Sequence, residues 1–248
     1  MGHLTRSIII ASGKGGTGKT SLCAAVGSCL SALGDRVLCI DLDMGLRNLD
    51  IALGMSSEAL LTFADVMEER YTLDDVAPCE RLAGLKLLTA PVSSAPEDVD
   101  AEAFSAFLSR CREAFDWVLL DAPAGVGTGF RLAVQDAEQI ILVTGGEPAA
   151  LRDGARAAAL AYARGDAQVR CIVNRVSARF FRRAKRTLDD AMDAVGLPLL
   201  GVVPEDSRVP LAAAKDTPLV LTSRRGASAA CLRIARRLKE LPAPLRLR

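Results

Sequence analysis

Short apolar segments recur along the chain, and most are separated from the next by a stretch long enough for a helix. They contain five or six residues without strict alternation of polar and apolar positions, which is typical of strands covered on both faces. The apolar segments are residues 7–11, 37–41, 85–89, 117–121, 140–144, 169–174 and 199–203, and the helix-length stretches are 19–33, 58–70, 101–114, 149–164, 181–195 and 227–241. This succession predicts a doubly wound α/β fold, a mostly parallel sheet with helices on both faces.

The chain shows no internal repeat and no long linker, so we expect a single domain over residues 1–248, with a last helix at about 227–241 and a short tail at 242–248. No apolar run reaches the ~18 residues that a membrane-spanning helix needs. The 31 basic and 30 acidic residues leave a formal net charge of +1, so the overall charge does not favour a nucleic-acid partner. Seven scattered cysteines without a C-x-x-C pair are typical of reduced thiols in a cytoplasm.

The first apolar segment is followed by "SGKGGTGKTS", which fits the phosphate-loop pattern G-x-x-x-x-G-K-[ST]. Glycines in such a loop let backbone N–H groups approach phosphate, and the helix that follows offers its N-terminal N–H groups. The residues predicted to bind the nucleotide here are Gly13, Gly15, Gly16, Thr17, Gly18, Lys19, Thr20 and Ser21. Thr20 is also the predicted direct protein ligand of Mg²⁺. The pattern does not require the additional lysine, Lys14.

Acidic residues follow two other predicted strands. Asp41 ends the second strand with Asp43 two residues later, and Asp121 ends the fourth. Since ligands of doubly wound sheets bind at the carboxyl ends of the strands, we expect Asp41 and Asp121 to reach Mg²⁺ through water. The alternative is structural, because an aspartate at the end of a strand often caps a helix or forms a turn.

The motifs together resemble those of one family. "GKGGTGKT" resembles the deviant Walker A loop of the MinD/ParA superfamily, and "DLDMGLRNLD" at 41–50 resembles the switch segment of its MinD branch. "DAPAG" is similar to the family's second switch, "LVTGGEPAALRDGARA" to the segment after the next strand, "IVNRV" to its base-recognition strand end, and "GVVPED" to its adenine-side loop. These motifs extend from Ser12 to Asp206, most of the chain.

The resemblance implies a P-loop ATPase that uses Mg²⁺, hydrolyses ATP to ADP and phosphate, and forms a homodimer on binding ATP. It implies that Lys14 crosses the dimer interface to the partner's phosphates, whereas Lys19 serves its own nucleotide. The alternative for Lys14 is a solvated loop charge. Asp43 is expected to position the attacking water. Asn174 is expected to contact a purine edge and Pro204, Glu205 and Asp206 to close the other side of the base, while Arg175 either contacts the base or forms a salt bridge nearby.

The function expected from this resemblance is spatial positioning, of the division site or a related cargo, with a protein effector that stimulates hydrolysis. The alternatives are a flagellar-placement ATPase, a ParA-like segregation ATPase and a metabolic ATP-dependent ligase that shares the loop. The expected location is the cytoplasm, with weak or peripheral contact with the inner face of the cell membrane.

The chain departs from the family pattern at two places. Ala122 replaces an expected hydroxyl residue, and Val126 and Gly127 replace an Ile-Glu pair, so the coupling of nucleotide to partner is open. At the other place, Pro242 and Pro244 interrupt the segment where the family carries a membrane-binding helix. The basic amphipathic stretch at 231–239 is expected to pack on the sheet rather than lie on a membrane. The basic cluster at 177–186 contacts DNA or a protein, or is the charged start of a helix.

Overall fold

One sheet runs through the computed structural model, which describes residues 6–44, 46–58, 60–92, 95–163, 167–184 and 187–245, and only the backbone of Arg6, Ala178 and Phe180. Its strands in the described part of the chain are β1 (Arg6–Ala11), β2 (Val37–Asp41), β3 (Pro78–Cys79), β4 (Leu82–Leu88), β5 (Trp117–Asp121), β6 (Gln139–Thr144), β7 (Gln168–Val176) and β8 (Leu199–Pro204). The spatial order is β3-β4-β2-β5-β1-β6-β7-β8. Neighbouring strands are parallel except β3 and β4, which are antiparallel.

The described helices are α1 (Lys19–Ala32), α2 (Leu49–Leu53), α3 (Phe63–Met67), α4 (Ala101–Ala114), α5 (Thr128–Val134), α6 (Pro148–Tyr162), α7 (Ala178–Arg183), α8 (Leu188–Val195), α9 (Arg208–Ala214), α10 (Leu219–Thr222) and α11 (Gly226–Leu238). A short 3₁₀ helix, Pro96–Asp98, precedes α4.

The core has two halves, one on each face of the sheet. Ile8 and Ile10 of β1 belong to the half that contains buried side chains of α1 and α11, whereas Ile9 belongs to the half that contains those of α4 and α6. Successive side chains of a strand point to opposite faces, so β1 is covered by helices on both. The predicted doubly wound α/β fold is therefore confirmed.

The strand register brings the predicted acidic residues to one level. Asp41 on β2 lies opposite Asp121 on β5, and Asp121 lies opposite Ile10 of β1 on its other side. Because all three strands are parallel, these residues lie at the same, carboxyl edge of the sheet, where β1 leads into the glycine-rich loop.

Two of the predicted helices differ from the structure. Within 58–70, the described residues (all but 59) contain only α3, which begins after a capping box formed by Thr62 and Asp65. Residues 181–195 contain the end of α7 and then α8, which begins after a second capping box at Thr187. Part of the basic cluster, residues 185–186, lies outside the described residues. The two-residue strand β3 and the short helices α2, α5, α9 and α10 were not predicted.

The last helix packs on the sheet, as expected. Ala235 and Leu238 of α11 are fully buried, while Leu232 and Leu241 are partly exposed. The helix ends at Leu238, three residues earlier than predicted, and Lys239 forms an ion pair of 2.6 Å with Asp35. All seven cysteines are buried and free. Across the described ranges, no helix is long and apolar enough to span a membrane.

Candidate nucleotide-binding site

The loop between β1 and α1 has the backbone geometry that phosphate binding requires. Gly18 precedes the first turn of α1 in the left-handed region, with φ 84°. A β-carbon at this position would also overlap the side-chain amide of Asn174. The loop is further fixed by Ser12, whose hydroxyl donates to the Lys14 carbonyl at 2.9 Å. The N–H groups at the start of α1 are therefore presented to a cavity of about 360 Å³, the phosphate cavity, whose lining includes both lysines, Thr20 and Asp43.

Lys19 and Asp121 form a buried ion pair at the floor of this cavity. The Lys19 ammonium lies 2.7 Å from Oδ1 of Asp121 and donates to the Thr20 hydroxyl at 3.3 Å. Burial raises the pKa of Asp121, and the positive charge of Lys19 opposes that rise. The other oxygen of Asp121, Oδ2, is buried and has no hydrogen-bond partner among the described residues.

The oxygen of Asp121 without a partner, Oδ2, indicates whether the predicted Mg²⁺ fits this site. Buried carboxylate oxygens are normally hydrogen-bonded, and Mg²⁺ keeps several of its waters when proteins bind it. A water on the ion would give Asp121 Oδ2 its missing partner, and the Thr20 hydroxyl, which lines the cavity, contacts the same Lys19 ammonium as Asp121. Thr20 and Asp121 therefore fit a hydrated Mg²⁺.

Asp41 holds the switch segment. Its two oxygens accept from the backbone N–H groups of Asp43, at 2.9 Å, and Leu49, at 3.2 Å. Burial and the neighbouring charge of Asp121 raise the pKa of Asp41 to about 6. Both oxygens are engaged by the backbone, so the structural alternative for Asp41 is observed. Its predicted contact with Mg²⁺ through water stays a prediction.

Asp43 is presented on a tight turn. Its carbonyl accepts from the N–H groups of Leu46 and Arg47, both at 3.3 Å, and Arg47 adopts a positive φ of 42°. The side chain of Asp43 lines the phosphate cavity, and no described residue donates a hydrogen bond to its carboxylate. The Asp43 carboxylate therefore lies at the cavity wall, and its predicted role in positioning a water stays a prediction.

Lys14 lies at the rim rather than the floor. Its ammonium is 3.9 Å from Oδ2 of Asp153 on α6, and both side chains are about two-fifths exposed, at 43% and 42%. Close packing sets this contact, because a β-carbon at Gly13 would overlap the Asp153 carbonyl. Sequence reasoning missed Asp153, although it lies within the family-like segment at 142–157.

A second cavity of about 490 Å³, the base cavity, adjoins the first. Gly18, Ser21 and Ala213 line both cavities. The predicted base-contacting residues Asn174, Arg175, Pro204, Glu205 and Asp206 all line the base cavity. Its apolar wall was not predicted and includes Leu22, Val209, Pro210, Ala213, Leu219 and Cys231. The two cavities together can hold a base and its phosphates.

The polar residues of the base cavity are already partly engaged. Asn174 donates its amide hydrogen to the Thr17 carbonyl at 2.8 Å, which leaves its oxygen as the free acceptor. Arg175 donates to the Gly16 carbonyl and to Glu205, each at 3.3 Å. Of the two alternatives for Arg175, the nearby salt bridge is therefore the observed one.

Asp206 lines the cavity but fixes its wall. Its carboxylate accepts from Arg208, at 2.8 Å from Nε, and from the Ala227 N–H at the start of α11, at 2.9 Å. Burial acts to raise the pKa of Asp206, but these hydrogen bonds outweigh it and lower the pKa. The side chain thus joins β8, α9 and α11 around the cavity, and its predicted contact with the base is not tested.

Comparison with known proteins agrees with this geometry. Residues 8–219 match the CobQ/CobB/MinD/ParA nucleotide binding domain. The chain is 34% identical over 239 residues to the septum site-determining protein MinD of Synechocystis sp., covering 95% of this chain and 90% of that protein.

Two solved structures extend the comparison. A chain of the MinC:MinD cell division protein complex of Aquifex aeolicus superposes with a TM-score of 0.88 at 32% identity, covering 98% of each chain. MinD of Pyrococcus horikoshii, complexed with Mg-ADP, gives a TM-score of 0.82 at 28% identity, covering 95% of this chain and 96% of that one. The chain therefore belongs to the CobQ/CobB/MinD/ParA family of nucleotide-binding domains and, within it, to the MinD branch.

Proposed function

We propose that this protein is a Mg²⁺-dependent ATPase that dimerises on binding ATP and uses hydrolysis to control spatial positioning, with the division site as the first candidate. One observation carries the proposal: the phosphate cavity has a buried lysine on its floor and a half-exposed lysine at its rim. In this proposal Lys19 neutralises the phosphates of its own subunit, and Lys14, exposed at the rim, reaches the phosphates of a second subunit.

The residues on the floor change partners when nucleotide binds. Lys19 would turn its charge from Asp121 towards the β- and γ-phosphates. The Thr20 hydroxyl would hold Mg²⁺ directly, and the Asp121 carboxylate would hold it through water. Mg²⁺, when bound, neutralises charge that develops on the phosphates.

Asp43 orients the attacking water in this proposal. Its carboxylate stands free in the cavity on a turn held by Asp41, so it can accept a proton or a hydrogen bond from water beside the γ-phosphate. A positioned group of this kind contributes about 10²–10⁴-fold to a rate.

We propose adenine as the base. The Asn174 amide donates one hydrogen to the Thr17 carbonyl, which leaves its oxygen as an acceptor and its second amide hydrogen as a donor. An amide with both groups matches the amine and the ring nitrogen of adenine, whereas O6 and N7 of guanine are both acceptors. ATP and ADP are therefore the proposed ligands.

Dimerisation adds the charge of Lys14 to the partner's phosphates, so hydrolysis depends on assembly in the manner of an arginine finger supplied in trans. We propose a protein effector that stimulates this step; the Aquifex aeolicus relative lies in a complex named for MinC and MinD. The proposed location is the cytoplasm, with weak peripheral membrane contact.

Phosphate release from ATP, measured against protein concentration, tests the proposal. A dimer-dependent ATPase has a specific activity that rises with protein concentration and reaches a plateau. Lys14→Gln should abolish this activity. Lys86→Gln is its matched control and should retain the activity, since Lys86 donates to the Leu73 carbonyl away from the site. Turnover that requires DNA would favour a segregation ATPase, and turnover that requires a small organic acid would favour a ligase.

A further inference from the structure

The short helix α2 lies between the two cavities. Ile51 and Ala52 of α2 line the phosphate cavity, and α2 packs on α9. Helix α9 in turn forms a wall of the base cavity through Val209, Pro210 and Ala213. The end of the switch segment is thus separated from the base only by α9 and the connection that follows it, residues 215–218.

One aspartate in that connection holds the segment that directly follows α2. A single oxygen of Asp216, Oδ1, accepts from the Ser56 hydroxyl at 2.8 Å and from the Ser56 N–H at 3.3 Å. The backbones of Gly54 and Asp216 also lie in close contact. A β-carbon added at Gly54 would lie only 2.7 Å from the Asp216 carbonyl oxygen. Asp216 adopts a positive φ of 46°, which is unfavourable for a residue with a side chain. The connection is thus closely fitted to the end of α2.

The first residue of α2, Leu49, is held by Asp41. The Leu49 N–H donates to Asp41, whose second oxygen holds the N–H of Asp43. Leu49 and Leu53 are fully buried and lie in the same half of the core as Leu219. The five-residue helix α2 is therefore attached at its first residue and, through Ser56, just beyond its last, and it is packed in the core between them.

A separate contact keeps the connection in place without Asp216. The Arg81 guanidinium donates to the Thr217 hydroxyl at 2.6 Å. Removing the Asp216 carboxylate therefore removes the hydrogen bonds to Ser56, while the backbone contact with Gly54 and the Thr217–Arg81 hydrogen bond remain.

We propose that Asp216 is a positioning residue that couples occupancy of the base cavity to the switch segment. A base bound against α9 and Leu219 orders the connection, Asp216 then orders α2, and the Leu49–Asp41 hydrogen bond passes this order to the turn that carries Asp43. The inference rests on the proposed function for its effect on hydrolysis, but its structural part requires only nucleotide binding.

Amide hydrogen exchange of residues 49–58 tests the structural part. Pyrophosphate fills only the phosphate cavity, whereas ADP fills both, so in the wild type saturating ADP should slow exchange of this segment several-fold more than saturating pyrophosphate. In Asp216→Ala the two ligands should protect it equally. Asp216→Asn keeps an oxygen in the Oδ1 position and should retain the difference. Equal protection in the wild type, or an undiminished difference in Asp216→Ala, would overturn the inference.

A kinetic measurement separates positioning from a general loss of structure. Asp216→Ala should lower kcat about three- to tenfold with KM for ATP within twofold, and Asp216→Asn should restore kcat. Asp75→Ala is the matched control, because Asp75 accepts in the same way from the Thr72 N–H, at 2.8 Å, and hydroxyl, at 2.7 Å, away from both cavities. A wild type without ATPase activity would refute the proposed function and leave the exchange result to decide the inference. An active wild type with unchanged kcat in Asp216→Ala would refute the inference alone.

Discussion

The ammonium of Lys14 and the carboxylate of Asp153 lie 3.9 Å apart at the rim of the phosphate cavity, within one subunit. An ion pair with two half-exposed partners is worth at most about 1 kcal/mol. The contact therefore holds Lys14 at the rim only weakly, as its proposed transfer to a partner's nucleotide requires.

Substitution of the two lysines of the loop, Lys14 and Lys19, should impair different steps. Lys19→Gln removes the buried charge that serves the subunit's own phosphates, so it should lose nucleotide affinity. Lys14→Gln should still bind ATP but neither dimerise nor hydrolyse it. Titration calorimetry measures the first property and light scattering the second. Equal loss of ATP binding in both variants would remove the trans role of Lys14.

The buried Lys19–Asp121 pair makes a prediction about stability. Asp121→Ala leaves the Lys19 charge buried without its partner, so the free energy of unfolding without nucleotide should fall by about 3–5 kcal/mol. The double variant Lys19→Met/Asp121→Leu should lose less. Urea denaturation measures both. Lys14→Gln, at the half-exposed pair, should cost under about 1 kcal/mol. If the free energy of unfolding falls no more in Asp121→Ala than in Lys14→Gln, Lys19 and Asp121 do not form a stabilising buried ion pair.

The raised pKa of Asp41 predicts an unusual dependence of stability on pH. Its pKa is about 6 in the folded protein, above the ordinary value of an aspartate, so the folded state binds more protons. The stabilisation from Asp41 is complete below about pH 4 and is lost as the pH rises through about 6. The wild type should lose about 3 kcal/mol over this range relative to Asp41→Asn, whose side chain does not titrate. Denaturation of both proteins between pH 4 and 7 measures this difference, and a constant difference would show that Asp41 is not perturbed.

The phosphate loop and the central strands were predictable because each is specified locally. The apolar runs of β1, β2 and β5 are covered on both faces, and glycine spacing specifies the loop. The extent of α3 was predicted wrongly. The predicted helix begins at residue 58, whereas the Thr62 capping box begins the observed helix at Phe63. Likewise Thr187 restarts a helix where one continuous helix was predicted.

Partners that are distant in sequence were the hardest part of the site to predict. Asp153 on α6 meets Lys14, and Asp216 meets Ser56, only because the sheet order brings the segments that carry them together. No local pattern marks either aspartate. For Asp41 the sequence left a metal contact and a structural turn open, and its hydrogen bonds from the Asp43 and Leu49 N–H groups show the second.

Burial of the apolar residues of α11 makes a prediction about membranes. Since Ala235 and Leu238 pack in the core, this helix has no complete apolar face for a bilayer. Co-sedimentation with anionic liposomes in ATP should be weak, and deletion of residues 242–248 should change it little. Strong ATP-dependent binding that the deletion abolishes would show that those residues bind the membrane.

The most direct test of the dimerising switch is the mass of Asp43→Ala in ATP and Mg²⁺, measured by size-exclusion chromatography with light scattering. The variant keeps the phosphate loop, Lys14, Lys19 and Thr20, so it should bind ATP and form a dimer, while hydrolysis falls by about two to four orders of magnitude. We therefore predict a stable dimer in ATP and a monomer in ADP. A monomer at saturating ATP, or hydrolysis at the wild-type rate, would contradict the account.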